Sequence, residues 1–226
     1  IGSTTSQITY IKDGIQKQIE CLPSSITKIW GSSGKNIYVV GYNGNIARYN
    51  GKSWIKLKTS TETKKLDIYD IKGFTKNHET TLYAVAAKRR TNRKKQILKI
   101  QGYNVEEVTT DGLQFSISGI WGIVDKVYYV VGSGIYKKKD IEDNNPWEEL
   151  YETRYYSYSV DGQAVNDVVC CGASGELLHY NGSKWLSFKE QTFLDYGDLL
   201  RVKIKDNIIV SVGYNNPKAV IVLGKR

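Results

Sequence analysis

The chain has 226 residues, with 32 Lys and Arg against 23 Asp and Glu, so its formal charge is +9. Apolar residues make up 40% and charged residues 24%, which excludes a disordered chain; no run approaches the ~18 consecutive apolar residues of a membrane-spanning helix. A chain of this length buries roughly 70% of its unfolded surface, so it needs no metal staple, and three cysteines cannot build a disulfide framework.

The chain starts at Ile1 rather than Met, followed by the small or polar Gly2, Ser3, Thr4, Thr5 and Ser6. No basic segment followed by an apolar one opens it. The expectation is a leader already removed or a longer parent protein. Residues 7–11 and 15–22 read as two strands. Beyond them come β-rich runs at 37–40, 82–86, 127–131, 167–171 and 208–212, rich in Val, Ile and Tyr. Their starts lie about 40 to 45 residues apart, which is the mark of a repeat. Helical periodicity is almost absent.

One copy reads Ile29-Trp30-Gly31, Asn36-Ile37-Tyr38-Val39-Val40-Gly41, Gly44-Asn45-Ile46 and Tyr49-Asn50-Gly51-Lys52-Ser53-Trp54. Another holds Tyr180-Asn181-Gly182-Ser183-Lys184-Trp185, and a third Ile120-Trp121-Gly122 with Val127-Tyr128-Tyr129-Val130-Val131-Gly132. The copy over 66–109 is degenerate, and the last runs from 199 to 223. Each unit thus predicts four short strands, a to d. Trp30 and Trp121 end strand a; Trp54, Trp147 and Trp185 open strand d. Recurrence at equivalent places marks these tryptophans as packing between units. Asn50-Gly51 and Asn181-Gly182 suit tight turns with positive φ. Cys170 and Cys171 are strand neighbours pointing to opposite faces, so they do not chelate one metal together and read as small apolar residues. Cys21 is remote from both.

Four antiparallel strands per unit predict an all-β, five-bladed β-propeller of about 45 residues per blade, a single domain over 1–226. Residues 15–22 are expected to pair with the C-terminal unit as its fourth strand, so that the termini close one blade. Residues 7–11 are then a fifth outer strand or the remnant of a further blade.

The first copy, together with His179-Tyr180-Asn181-Gly182, resembles the tandem "IWGSS…NDVYAVG…G.ILHYDG..W" propeller repeats of bacterial exported and surface proteins. The resemblance implies this fold and a place in the periplasm or on the cell surface. The closing Lys218-Ala219-Val220-Ile221-Val222-Leu223-Gly224-Lys225-Arg226 is similar to the way such proteins end. No activity is implied, and the motif residues are structural.

The search for chemistry yields little. His78 and His179 fall in different units, and no cluster has metal-ligand spacing. A propeller glycosidase needs two or three convergent carboxylates; Asp67 and Asp70, three apart on one strand, are expected on opposite faces. The run Asp140, Glu142, Asp143, Glu148, Glu149 reads as a solvated loop and lacks a calcium-loop pattern. The outstanding segment is 88–99, with seven basic residues in twelve and no acid. The rest of the chain holds 25 Lys and Arg against 23 acids, only +2. This segment lies between strands b and c of the second unit. Arg89, Arg90 and Arg93 are candidates to grip an anion bidentately, with Lys88, Lys94 and Lys95 as point charges. Lys137, Lys138 and Lys139 belong to the opposite rim.

The expected function is therefore a non-enzymatic, exported, monomeric binding module without cofactor or metal. Its partner would be a protein or an anionic polysaccharide, met at Lys88–Lys95. A lectin is the alternative, on Tyr128, Tyr129, Tyr155, Tyr156 and Tyr158. A glycoside hydrolase lacks its carboxylates, and no nucleic-acid motif accompanies the basic segment.

Overall fold

The computed structural model describes residues 7–20, 25–88 and 94–225. They form two compact units, 1–109 and 110–226. Among them no helix is long and apolar enough to cross a membrane.

The first unit opens with an antiparallel hairpin of β1 (Gln7–Lys12) and β2 (Ile15–Glu20). Its turn residues Asp13 and Gly14 both have positive φ, as a two-residue hairpin turn of this hand requires. Blade 1 follows as β3 (Ile26–Ser33), β4 (Asn36–Gly41), β5 (Ile46–Tyr49) and β6 (Trp54–Lys56), hydrogen-bonded in that order. A 3₁₀ turn over Thr63–Lys65 leads into blade 2. Blade 2 consists of β7 (Asp67–Lys76), β8 (Glu79–Ala87), β9 (Lys95–Gln101) and β10 (Asn104–Val108).

The second unit holds blade 3, with β11 (Ile117–Ile123), β12 (Val127–Gly132), β13 (Gly134–Lys138) and β14 (Glu148–Tyr151). Blade 4 has β15 (Ser157–Ala164), β16 (Asp167–Gly172), β17 (Leu177–Tyr180) and β18 (Trp185–Ser187), followed by one helical turn, α1 (Lys189–Thr192). Blade 5 has three described strands, β19 (Gly197–Lys205), β20 (Ile208–Asn215) and β21 (Lys218–Lys225).

The expected pairing of 15–22 with the C-terminal sheet is corrected here. β2 pairs with β1, and β21 pairs with β20. The short Asp13-Gly14 turn makes the local partner the cheaper one, because closing a two-residue loop costs little entropy. Ile8 of β1 then packs against Val39 and Ala47 of blade 1.

Strand b of blade 4 shows why these strands read as unbroken apolar runs. Val168 and Cys170 face a core shared with blade 3, and Val169 and Cys171 a core shared with blade 5. A strand buried on both faces has no reason to alternate. Burial pushes both thiols up, that of Cys171 to about 12. Cys21 lies outside the described residues.

The first strand of all five described blades carries a bulge at the same place, at Thr27, Tyr69, Ser118, Tyr158 and Leu200. The bulged hydroxyl of Thr27 donates to Val40 O at 3.1 Å and also reaches Ile68 O on blade 2. Ser118 repeats this, bonding Val131 O at 3.2 Å and Ser157 O on blade 4. A bulge re-aims one side chain, and here it aims a hydroxyl at the next blade. The Tyr-Asn-Gly-x-x-Trp piece also repeats. Asn50 and Asn181 accept backbone N–H bonds from the residues two and three places on, and Gly51 and Gly182 alone take positive φ, 94° in each. Tyr49 packs on Trp54 and Tyr180 on Trp185.

Candidate functional site

The basic segment stands where strands b and c of blade 2 join. Lys88 N donates to Lys94 O at 3.0 Å and closes the base of this loop. Arg89, Arg90 and Arg93 lie outside the described residues. Lys88 and Lys94 are exposed, and Lys95 is half-buried. Burial pushes the Lys95 ammonium below its ordinary range.

The connector between blades 1 and 2 packs on β9 and β10. Thr63 Oγ1 donates to Gln96 Oε1 on β9 at 2.8 Å, and Ser60 Oγ to Glu107 Oε1 on β10 at 3.1 Å. On the other side Gly44 approaches so closely that a β-carbon would lie 2.5 Å from Thr63 O. The clamped connector presents Lys58, Lys64 and Lys65, and Lys56 ends β6 beside it. An open groove of about 720 Å³ is lined by Asn43, Asn45, Lys56, Lys58, Thr59 and Lys64. Glu62 stands among these cations, bonded to Lys65 and 3.7 Å from Lys94. The Lys65 hydrogen bond, more than its charge, holds the Glu62 carboxyl below the usual range.

The sequence reading missed Lys56, Lys58 and Lys64. The available signal was topological: the connector into strand a and the turn between strands b and c lie at the same end of a blade. Lysines on both therefore lie at that end, linked through Glu62 to Lys94 and Thr63 to Gln96, although some thirty residues separate Lys64 from Lys94.

The other candidates resolve into structure. The bulge at Tyr69 shifts register so that Asp67 and Asp70 stand opposite Ala87 and Val85, hence on one face; the expectation of opposite faces assumed an unbroken strand. Each has its own partner. Asp70 pairs with Lys28 at 2.9 Å, and Asp67 accepts Asn43 N at 3.1 Å. Among the described residues no three His, Cys, Asp or Glu side chains come together as a metal site. Asp143, in the acidic run, binds the buried Lys138 at 3.0 Å. His78 is a turn residue at φ 67°.

His179 Nε2 lies 2.8 Å from Asp167 Oδ1, nearly buried, beside an open pocket of about 600 Å³. Blade 1 has Arg48 Nε donating to Asn36 Oδ1 at 3.0 Å in the same repeat position. The recurrence identifies a tie between strands b and c. The five tyrosines of the lectin alternative do not form repeated sites either. Tyr128 and Tyr129 are buried. Tyr155 is covered by Lys189, whose Nζ lies 4.2 Å from its ring centre, and Tyr158 donates to Asp198 Oδ2 at 3.4 Å.

Sheets of this order and repeated bulge define a β-propeller, and solved structures match it. No protein-family model matches the chain, and no curated protein does. A structure titled as YCF48 bound to D1 peptide is 16% identical with a TM-score of 0.64, over 97% of this chain and 71% of that one. The RRP9 WD40 repeats give 15% and 0.63, over 89% and 63%. A catalytically inactive virginiamycin B lyase from Staphylococcus aureus with quinupristin gives 12% and 0.73, over 98% and 74%. The chain is all-β, with the fold of a five-bladed β-propeller. Peptide binding and lyase chemistry both occur on this fold, so function has to be argued from the site.

Proposed function

We propose that the chain is a non-enzymatic binding module, and that its ligand is an acidic segment of a partner protein held at the lysine-rich end of blades 1 and 2. The observation that carries this reading is the convergence of Lys56, Lys58, Lys64, Lys88, Lys94 and Lys95 on one end of two packed sheets. One exposed lysine–carboxylate pair contributes about 0–1 kcal/mol, so a useful affinity needs several at once. The clamped connector holds the backbone that carries Lys58 and Lys64, which lowers the ordering cost. A peptide-bound structure among the matches supports a peptide ligand in preference to a polysaccharide.

The test is fluorescence anisotropy with a labelled oligoglutamate peptide at physiological and at high salt. Binding should be salt-sensitive and fall at least tenfold in a Lys58→Ser/Lys64→Ser/Lys94→Ser variant of unchanged Tm. Equal binding by that variant overturns the site. A heparin-like polymer that binds while the peptide does not would replace the protein ligand by a polysaccharide. A place outside the cytoplasm belongs to the same proposal and rests on the repeat resemblance. Recovery of the native protein solely in the cytosolic fraction would refute it.

A further inference from the structure

The connector that leaves blade 4 repeats the one that leaves blade 1. Leu57 N and Phe188 N each bond back to strand c, at Ile46 O and Leu177 O, both at 2.9 Å. Asn43 and Ser174 both take positive φ. Each donates its N–H to an aspartate on the next first strand, Asp67 at 3.1 Å and Asp198 at 3.0 Å. Asn45 O and Glu176 O accept equivalent bonds from Gly41 N and Gly172 N. Lys189 therefore holds the repeat position of Lys58, and Glu176 that of Asn45.

The two grooves are filled differently. In blade 1 the groove is open, and Lys58 is exposed with no side-chain partner among the described residues. In blade 4 Lys189 folds inward and donates to Ser174 O. Its Nζ lies 4.2 Å from the ring centre of Tyr155 and 4.7 Å from that of Phe193. Aromatic faces attract an ammonium in this way. Glu176 stands in the same groove, only 6% exposed. Ser187 Oγ, 3.2 Å from Oε1, is the one side-chain hydrogen-bond partner of that carboxylate among the described residues, and no cation among them comes within ion-pair distance. A carboxylate so buried is costly unless a cation offsets it.

Lys189 meets this demand incompletely. Burial pushes its ammonium below the ordinary range, against the opposing pull of Glu176 and Asp198. The connector does not need it as a clamp. Thr192 Oγ1 donates to Gly175 O at 2.7 Å and ties the connector to the turn between strands b and c.

We infer that this groove is a binding site for a primary alkylammonium, with Lys189 as its exchangeable occupant. A ligand ammonium would replace Lys189 between Tyr155 and Phe193, donate to Ser174 O and pair with Glu176. The carbonyl and the carboxylate both need N–H donors, which a quaternary ammonium lacks. The lysine side chain of a partner segment and a free diamine carry the same group. With its buried acid, the site has the opposite polarity to the lysine-rich groove and stands independently of it.

Amide NMR shifts of Ser174 and Gly175 test this during titration with Nα-acetyl-lysine methylamide and, separately, with diaminobutane. Lys189→Ala and Lys189→Gln should bind at least tenfold more tightly than the wild-type chain, because the internal competitor is gone. Adding Glu176→Gln to either should cost at least tenfold. The Tm of both Lys189 variants should rise with probe at concentrations that leave the wild-type Tm unchanged. Tighter binding of the lysine derivative assigns the site to a protein lysine, and tighter binding of the diamine to a free amine. Three results would overturn the inference: variants that bind no more tightly than wild type, binding indifferent to Glu176→Gln, and wild-type amides unmoved at any soluble probe concentration. The last would make Lys189 a fixed structural part.

Discussion

The indole of Trp30 in blade 1 lies against Gly73 of blade 2, so that a β-carbon at Gly73 would sit 2.1 Å from Trp30 Cζ2. Trp121 and Gly162 repeat the relationship between blades 3 and 4, at 2.7 Å. Between blades 4 and 5 both partners change. Asp161 takes the tryptophan position and Ile204 the glycine position, as the registers of the first strands show. Asp161 Oδ2 accepts Ile204 N at 3.2 Å, and Oδ1 binds Lys203 at 2.9 Å. At Gly73 and Gly162 the indole of the preceding blade fills the space a side chain would take, and at Ile204, where Asp161 replaces the indole, a side chain occupies it.

Gly73→Ala should therefore destabilise the protein by about 1–3 kcal/mol, the range for overpacking a core. In a Trp30→Ala background the same change should cost far less, since residues in contact are not additive. Urea unfolding of the two single variants and the double variant measures the coupling. Additive losses would show that the contact is not what selects glycine.

At Asp161 two effects can be separated by size. The Lys203 side chain is 69% exposed, so the ion pair contributes at most ~1 kcal/mol. The bond to buried Ile204 N leaves an unpaired donor when lost, at about 1–3 kcal/mol. Lys203→Ala should therefore be nearly silent in urea unfolding, Asp161→Ala the costly change, and Asp161→Asn intermediate.

Alkaline pH should unfold the protein in a predictable window. Burial pushes the phenols of Tyr128 and Tyr129 up to about 12 from 10, with Asp140 and Asp125 adding to the effect at Tyr128. A folded-state value above the unfolded one favours the neutral form. The stability it contributes is complete below pH 10 and is lost as pH rises to about 12. Each unit is worth ~1.4 kcal/mol, so roughly 2–3 kcal/mol is at stake per phenol. The buried thiols begin the decline nearer pH 9. Urea midpoints followed from pH 8 upward should fall, and less steeply in Tyr129→Phe. A flat profile would contradict the burial of these rings.

Glu62 occupies, within the chain, the place that a ligand carboxylate would take between Lys65 and Lys94. Glu62→Gln should raise affinity for the oligoglutamate peptide severalfold at low salt, with the gain shrinking as salt screens it. A loss of affinity would mean that Glu62 arranges the lysines rather than competing for them.

The strand order of each blade was legible in the sequence because its determinants are local. Val168 to Cys171 read as one apolar run since both faces of β16 are buried. Asn181-Gly182 marks the turn between β17 and β18 since only glycine takes the positive φ there. Trp30 and Trp121 were legible as packing residues by recurrence alone. The lysine site was legible in part. Lys88, Lys94 and Lys95 form a run, whereas Lys56, Lys58 and Lys64 join them only through the path of the connector.

The sequence by itself thus determined the repeat, the strand content, and the concentration of the +9 charge in one segment. These follow from side-chain periodicity and turn chemistry, which act over a few residues. Tertiary structure alone decided which strand β2 pairs with and which face Asp67 and Asp70 share. Each depends on a partner strand or sheet far along the chain. A one-residue bulge reverses a face without any mark in the composition.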